Sequence, residues 1–139
     1  MDDKKPPVRT GRSSATALVV EPVEILRRLF TSQLTFLGLK TIEASEPAAA
    51  REILRNADPA IDLLMIGLDV RHAIERADFA CEVRRAYPGT AVLVTAGYLD
   101  AQIQATLAVE GIDVLTKPVR IRELARRVRT ALGDRGDSP

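Results

Sequence analysis

The stretch that most constrains the fold is a short apolar run at residues 61–68, interrupted by Asp62 and by Gly67 near its end. Polar residues bound this run on both sides, at 55–58 and at 69–72. A run of this kind is typical of a strand buried on both faces, in the middle of a parallel sheet that helices cover. Ligands of open parallel sheets bind beyond the carboxyl ends of the central strands. Gly67 and Asp69 are therefore the first residues to consider for function.

The same alternation of apolar strand and amphipathic helix recurs along the chain. Strands are predicted at residues 17–20, 40–44, 61–68, 91–95 and 112–116. Helices are predicted at 23–37, at 45–54 with Ser45 as N-cap, and at 73–86, 100–109 and 121–132. Five strand–helix units at regular spacing predict an α/β fold, a five-stranded parallel sheet with helices on both faces.

The two ends of the chain differ in composition from the rest. Residues 1–15 are rich in Lys, Pro, Arg, Gly and Ser and predict a disordered arm, and residues 134–139 predict a disordered polar tail. One domain at 16–133 remains. The charged N-terminus lacks the apolar segment of a secretory signal.

Composition excludes several classes of partner and location. The 20 basic and 19 acidic residues nearly cancel, which argues against nucleic acid as a partner. No apolar stretch reaches the roughly 20 residues that span a membrane. Cys81 is the single cysteine, so no internal disulfide can form, which favours the cytoplasm.

Polar residues follow or end three of the predicted strands, at Glu21, Thr95 and Lys117. Together with the segments 93–98 and 115–118 and the strand at 62–66, in this order and at these separations, they make the chain resemble bacterial response-regulator receiver domains. The resemblance covers about residues 17–132 and implies the CheY-like, flavodoxin-like (βα)5 fold. It also implies a place in two-component signalling, with a histidine kinase or an effector as protein partner.

The resemblance assigns roles to the residues at the strand ends. In the family, an acidic pair after the first strand helps bind Mg²⁺, and an aspartate ending the third strand accepts a phosphoryl group. A hydroxyl residue ends the fourth strand, and a Lys-Pro pair follows the fifth. Glu21, Thr95 and Lys117 match three of these positions, but Pro22 occupies the second acidic position. The acceptor position is Gly67, which has no side chain to phosphorylate.

Two features of the predicted cleft stay open on sequence alone. Asp69 is an alternative acceptor, although two residues carry it about 6.6 Å beyond position 67 along the strand direction. Glu21 and Asp69 are also the candidate Mg²⁺ ligands, but together they form a poor site for an ion that prefers octahedral oxygen ligation, so we expect no cofactor. Lys117 should pair with a carboxylate, either Glu21 or Asp69.

Two further departures concern signalling and partners. The fifth-strand position that holds an aromatic residue in many receivers is Val114, so the relay from Thr95 lacks its second half. The last helix carries exposed arginines, either as a solvated face or as an interface. The interface candidates are Arg120, Arg122, Arg126 and Arg129. The face made by the fourth helix, fifth strand and fifth helix is where receivers often pair, which predicts a homodimer.

These features together predict a protein-interaction module that works without phosphorylation and is not an enzyme. The alternatives are a receiver phosphorylated at Asp69 and, from another class, a small-ligand sensor that uses the same cleft. The sensor is disfavoured because no glycine-rich phosphate loop follows the first strand.

Overall fold

The computed structural model describes residues 14–136, with side chains up to residue 133. Five strands alternate with five helices. In chain order they are β1 (Thr16–Val20), α1 (Glu24–Phe36), β2 (Lys40–Ala44), α2 (Pro47–Asn56), β3 (Leu63–Leu68), α3 (Ala73–Ala86), β4 (Ala91–Ala96), α4 (Ala101–Val109), β5 (Asp113–Thr116) and α5 (Ile121–Gly136).

The five strands form one parallel sheet in the order β2-β1-β3-β4-β5. The predicted fold class is therefore confirmed. The chain places β2 on one side of β1 and then returns to place β3 on the other side, so the strand order reverses between β1 and β3. The carboxyl ends of β1 and β3 flank the crevice that such a reversal creates.

Helices cover both faces of the sheet and divide the core into two layers. One layer joins α1 and α5 to the sheet, and the other joins α2, α3 and α4 to it. β3 is buried along its whole length, with Leu63 and Met65 in the first layer and Leu64 and Ile66 in the second. This alternation follows from the two-residue period of a strand, and it confirms the prediction of a strand buried on both faces.

Some predicted boundaries differ from the observed ones. The N-cap of α2 is Glu46 and not Ser45, because Pro47 is already in the first helical turn. Ala15 is fully buried and its carbonyl accepts a hydrogen bond from Lys40 N at 2.8 Å, so the ordered core begins inside the predicted arm.

At the other end of the domain, α5 continues to Gly136, past the predicted helix end at residue 132 and into the tail predicted as disordered at 134–139. A single glycine inside a helix costs only about 1 kcal/mol, which does not by itself end one. The predictions for residues 1–13 and 137–139 lie outside the described residues. Within 14–136, no helix has both the length and the apolar character that crossing a membrane requires.

Candidate functional site

The sheet brings the predicted residues together at its carboxyl edge. Glu21 directly follows β1, whose Val20 pairs in register with Ile66 of β3. Gly67 of β3 pairs in register with Thr95 of β4. Glu21 and Thr95 therefore lie on either side of Gly67.

The Glu21 carboxylate fills the space that a side chain at position 67 would occupy. A Cβ built on Gly67 would overlap Glu21 Oε1 and would lie 3.0 Å from Glu21 Cδ. The same Cβ would lie 3.3 Å from Thr95 Oγ1. The side chain that is absent from β3 is thus replaced by a carboxylate that reaches in from the end of β1.

This carboxylate is held on both of its oxygens. Oε2 accepts a hydrogen bond from Val23 N at 3.1 Å, and Oε1 lies 3.6 Å from Lys117 Nζ. Arg27, one turn into α1, also donates to the Glu21 carbonyl at 2.7 Å. Sequence reasoning missed Arg27, for which the one available signal was its position a helical turn after the strand end.

The ion pair joins a buried acid to a half-buried base. The Glu21 side chain is 3% exposed and that of Lys117 is 23% exposed. A separation of 3.6 Å is too long for a hydrogen bond. Glu21 Oε1 and Thr95 Oγ1 are accordingly buried without a hydrogen-bond partner among residues 14–133. Of the two carboxylates predicted to pair with Lys117, Glu21 is the observed partner.

Asp69 lies in the turn between β3 and α3, where its carboxylate accepts a hydrogen bond. Its Oδ1 accepts a hydrogen bond from His72 N at 2.8 Å and lies 3.6 Å from His72 Nδ1. Burial alone would raise the pKa of Asp69, but the hydrogen bond from His72 and the charge of Arg76 hold that pKa below its ordinary value. The carboxylate thus closes a local turn, which is a common role for aspartate before a helix.

We expect Asp69→Ala to lower the free energy of unfolding by about 1 kcal/mol at pH 7, because it removes the bond to His72 N. A lowered folded-state pKa contributes stability that is present above the unfolded value of about 3.9 and is lost as pH falls through the folded value. The difference from wild type should therefore be constant from about pH 7 to pH 5 and shrink below about pH 4. Urea unfolding followed by circular dichroism measures it.

Asp78→Ala is the matched control for this experiment, since Asp78 is an exposed aspartate on α3, the helix that Asp69 precedes. An equal loss for both variants, or a loss for Asp69→Ala that is unchanged at pH 3, would contradict the proposed bond.

The residues present do not fit a Mg²⁺ ion. Glu21 is committed to Val23 N and Lys117, Pro22 offers no side-chain oxygen, and Asp69 is bound to His72. In the part of the chain that the structure describes, no three His, Cys, Asp or Glu side chains cluster in a way that could hold a metal ion. An octahedral oxygen set is not available from these donors.

The other residues singled out from the sequence lie apart from this cluster. Val114 is half-buried and lines a cavity of about 530 Å³ with Gly97, Tyr98 and Thr116. Cys81 is buried in the core. His72 is exposed at the start of α3, where its side chain lies near Asp69.

The arginines of α5 do not form a single face. Arg127 pairs with Asp113 of β5 and with Glu123, and Arg126 pairs with Glu123. Val128 is buried, and successive residues of an α-helix are rotated by about 100° about the helix axis. Arg127 and Arg129 therefore point to opposite sides of Val128. The remaining interface candidates, Arg122 and Arg129 of α5 and Arg120 just before it, are exposed and form no ion pair with any other described side chain.

Comparison with known sequences gives one partial match of interest. No protein-family model matches the chain. A cyclic di-GMP phosphodiesterase of Thermotoga maritima is 27% identical over 122 residues, which are 86% of this chain and 32% of that protein. The chain thus spans about a third of the length of this curated relative.

Comparison with solved structures identifies the fold. A response regulator from Thermotoga maritima shares 26% identity and a TM-score of 0.74, over 86% of this chain and 98% of that one. The signal receiver domain of an HD domain-containing protein from Pseudomonas fluorescens shares 21% identity and a TM-score of 0.79, over 90% and 99%. A CheY-like receiver domain from Methanospirillum hungatei shares 18% identity and a TM-score of 0.78, over 90% and 98%. The chain therefore has the receiver fold.

Proposed function

We propose that the chain is an atypical receiver domain that acts in two-component signalling as a protein-interaction module, without aspartyl phosphorylation. One observation carries this proposal. The Glu21 carboxylate occupies the space of a side chain at position 67 and is paired there with Lys117.

Phosphoryl transfer needs a nucleophile that the donor can approach in line, with fixed donors to the developing charge. At position 67 there is no nucleophile, and the Lys117 ammonium lies beside Glu21 instead. Glu21 itself is 2% exposed, so an incoming phosphoryl group has no path to its carboxylate. The cluster therefore works as a fixed internal ion pair that keeps the cleft in one state.

Three companion proposals go with this one. The module needs no Mg²⁺, because Glu21 and Asp69 are already occupied as hydrogen-bond acceptors. It is not an enzyme, because no accessible nucleophile stands in the cleft. It works in the cytoplasm, where the buried free thiol of Cys81 stays reduced.

The first rival function is a receiver that is phosphorylated at Asp69. Against it stands the bond from His72 N to Asp69 Oδ1, which a phosphoryl group on that oxygen would have to break. The second rival, a small-ligand sensor that uses the same cleft, is opposed by the position of Glu21. Its carboxylate fills the cleft. Two cavities at this edge of the sheet are lined by residues outside the cluster of Glu21, Gly67, Thr95 and Lys117.

Incubation with acetyl phosphate and Mg²⁺, followed by intact-mass measurement, tests the absence of phosphorylation. We expect no mass increase for wild type and none for Asp69→Ala, because neither chain presents a carboxylate at position 67. A receiver domain with an intact acceptor aspartate serves as positive control. A labile phosphoryl adduct on wild type that is lost in Asp69→Ala would establish the first rival function.

We propose a histidine kinase or an effector protein as the partner. The homodimer through α4, β5 and α5 stays a prediction. In its favour, α4 carries no charged residue between Ala101 and Val109, and Val109 is 86% exposed. Such an uncharged exposed helix face is suited to burial against another protein.

A further inference from the structure

One buried arginine outside the cleft has no partner among the described residues. Arg76, near the start of α3, is only 7% exposed. Its Nε and Nη1 atoms are buried and donate no hydrogen bond to any described group. A guanidinium keeps its charge when it is buried, and a buried charge without an opposite charge is strongly destabilising. A counter-charge for Arg76 is therefore expected from outside the described part of the chain.

The Arg76 guanidinium lies at the carboxyl edge of the sheet, between α3 and α2. Phe79 is buried against α2, where the guanidinium carbon of Arg51 lies 5.0 Å from the centre of its ring. Residues three apart are neighbours on a helix surface, so Arg76 lies beside Phe79 in the same groove. Helix side chains lean toward the N-terminus, and the charge of Arg76 acts on the Asp69 carboxylate in the turn before α3.

The acids on either side of Arg76 in the sequence are already bound to other groups. The Asp69 carboxylate accepts the hydrogen bond from His72 N. The Glu82 carboxylate, also facing α2, accepts two hydrogen bonds from Arg51, at 3.0 and 2.8 Å. Neither acid forms an ion pair with Arg76. The guanidinium thus remains free to bind an anion.

The first turn of α3 supplies further unused donors at the same end of the helix. His72, the N-cap residue, makes no side-chain capping bond. The backbone N–H groups of Ala73, Ile74 and Glu75 donate to no described group. Free amides at a helix N-terminus, together with the positive end of the helix dipole, favour the binding of oxyanions.

This place is separate from the cleft of the Glu21–Lys117 ion pair. Alternate residues of a strand point to opposite faces of the sheet, so Gly67 points to the same face as Met65. The helices α1 and α5 cover that face, whereas α3 covers the other one. A ligand bound to Arg76 therefore does not need the space that Glu21 fills.

We propose that Arg76 and the first turn of α3 bind the oxyanion of a small ligand, either a phosphate or a carboxylate group. The guanidinium supplies charge-assisted hydrogen bonds, and the free amides orient the remaining oxygens. The oxyanion in turn supplies the missing counter-charge, so its binding stabilises the fold. This inference goes beyond the proposed function, because it concerns a second site on the other face of the sheet.

Titration with inorganic phosphate, followed by proton–nitrogen correlation NMR of the arginine Nε–H groups, tests this site. The resonance of Arg76 is identified by its absence from the spectrum of Arg76→Met. We expect this resonance to shift with a Kd of about 1 mM, an affinity that a few charge-assisted hydrogen bonds can supply. Acetate at the same ionic strength distinguishes a carboxylate ligand from a phosphate ligand, and chloride corrects for screening.

Urea unfolding shows whether the anion acts through Arg76. In chloride buffer, Arg76→Met should be no less stable than wild type, because it replaces an unpaired buried charge with an apolar side chain. The bound anion should raise the unfolding midpoint of wild type at the same ionic strength, but not that of Arg76→Met. Arg84→Met is the matched control and should respond like wild type, since Arg84 is an exposed arginine of α3 that forms no ion pair with other described side chains.

Three outcomes would overturn the proposal. The first is an Arg76 resonance that moves with neither phosphate nor acetate up to about 10 mM. The second is an equal rise of the unfolding midpoint in wild type and Arg76→Met. The third is a large loss of stability of Arg76→Met in chloride buffer, which would show that the guanidinium has a partner within the chain. Reversible anion binding leaves the mass of the chain unchanged, so this experiment and the acetyl phosphate experiment can fail independently.

Discussion

Replacing Gly67 with alanine is expected to lower the free energy of unfolding by about 1–3 kcal/mol, the usual cost of overpacking a filled interior. The new methyl group would overlap Glu21 Oε1 and would crowd Thr95 Oγ1 at 3.3 Å. The Glu21 carboxylate can yield only by leaving Val23 N and Lys117. Equilibrium urea unfolding followed by far-ultraviolet circular dichroism measures the loss, since the chain has no tryptophan.

The same substitution in a Glu21→Ala background should cost nothing or stabilise slightly. The carboxylate is then absent, and alanine in a strand is favoured over glycine by about 0.5–1 kcal/mol. The double-mutant cycle should thus give a coupling energy of about 1–4 kcal/mol between positions 21 and 67.

Gly97→Ala is the matched control for this cycle, because a Cβ at Gly97 would meet no atom within 4 Å. It should be neutral in both backgrounds. A loss from Gly67→Ala that is the same with and without Glu21 would show that the carboxylate does not fill this space.

Lys117→Met is expected to destabilise the protein by about 2–4 kcal/mol, because it leaves the buried Glu21 carboxylate without an opposite charge. This range lies below that of a fully buried pair, since the Lys117 side chain is 23% exposed and water screens part of the interaction. Adding Glu21→Gln should recover most of the loss, because a neutral amide needs no counter-charge. Urea unfolding at neutral pH measures both variants.

Lys40→Met provides the control, since Lys40 is an exposed lysine on β2 that forms no ion pair with other described side chains. Its effect should stay within about 0.5 kcal/mol, as for most surface substitutions. If Lys117→Met were as mild as Lys40→Met, or if Glu21→Gln failed to rescue it, the ion pair would have no part in holding the cleft.

Much of the site followed from the sequence because its residues sit at strand ends. In a parallel sheet the carboxyl ends meet at one edge, so the sequence alone assigns Glu21, Gly67, Thr95 and Lys117 to one place. The need of Lys117 for a carboxylate followed from the cost of an unpaired charge in a cleft. What the sequence left open was the choice between Glu21 and Asp69, since each lies within reach of the same edge.

The five strand–helix units, the burial of β3 on both faces and the glycine at position 67 could be read from the sequence. These features depend on hydrophobic period and residue identity, which are local. Three features depend on the folded chain: Glu21 fills the space beside Gly67, Asp69 accepts a hydrogen bond from His72 N, and Arg127 and Arg129 face opposite ways. Those outcomes depend on strand order, helix rotation and side-chain direction. The positions of Glu21 and Arg127 are fixed by contacts between residues far apart in the chain, which no local pattern contains, whereas the bond from His72 to Asp69 spans only three residues.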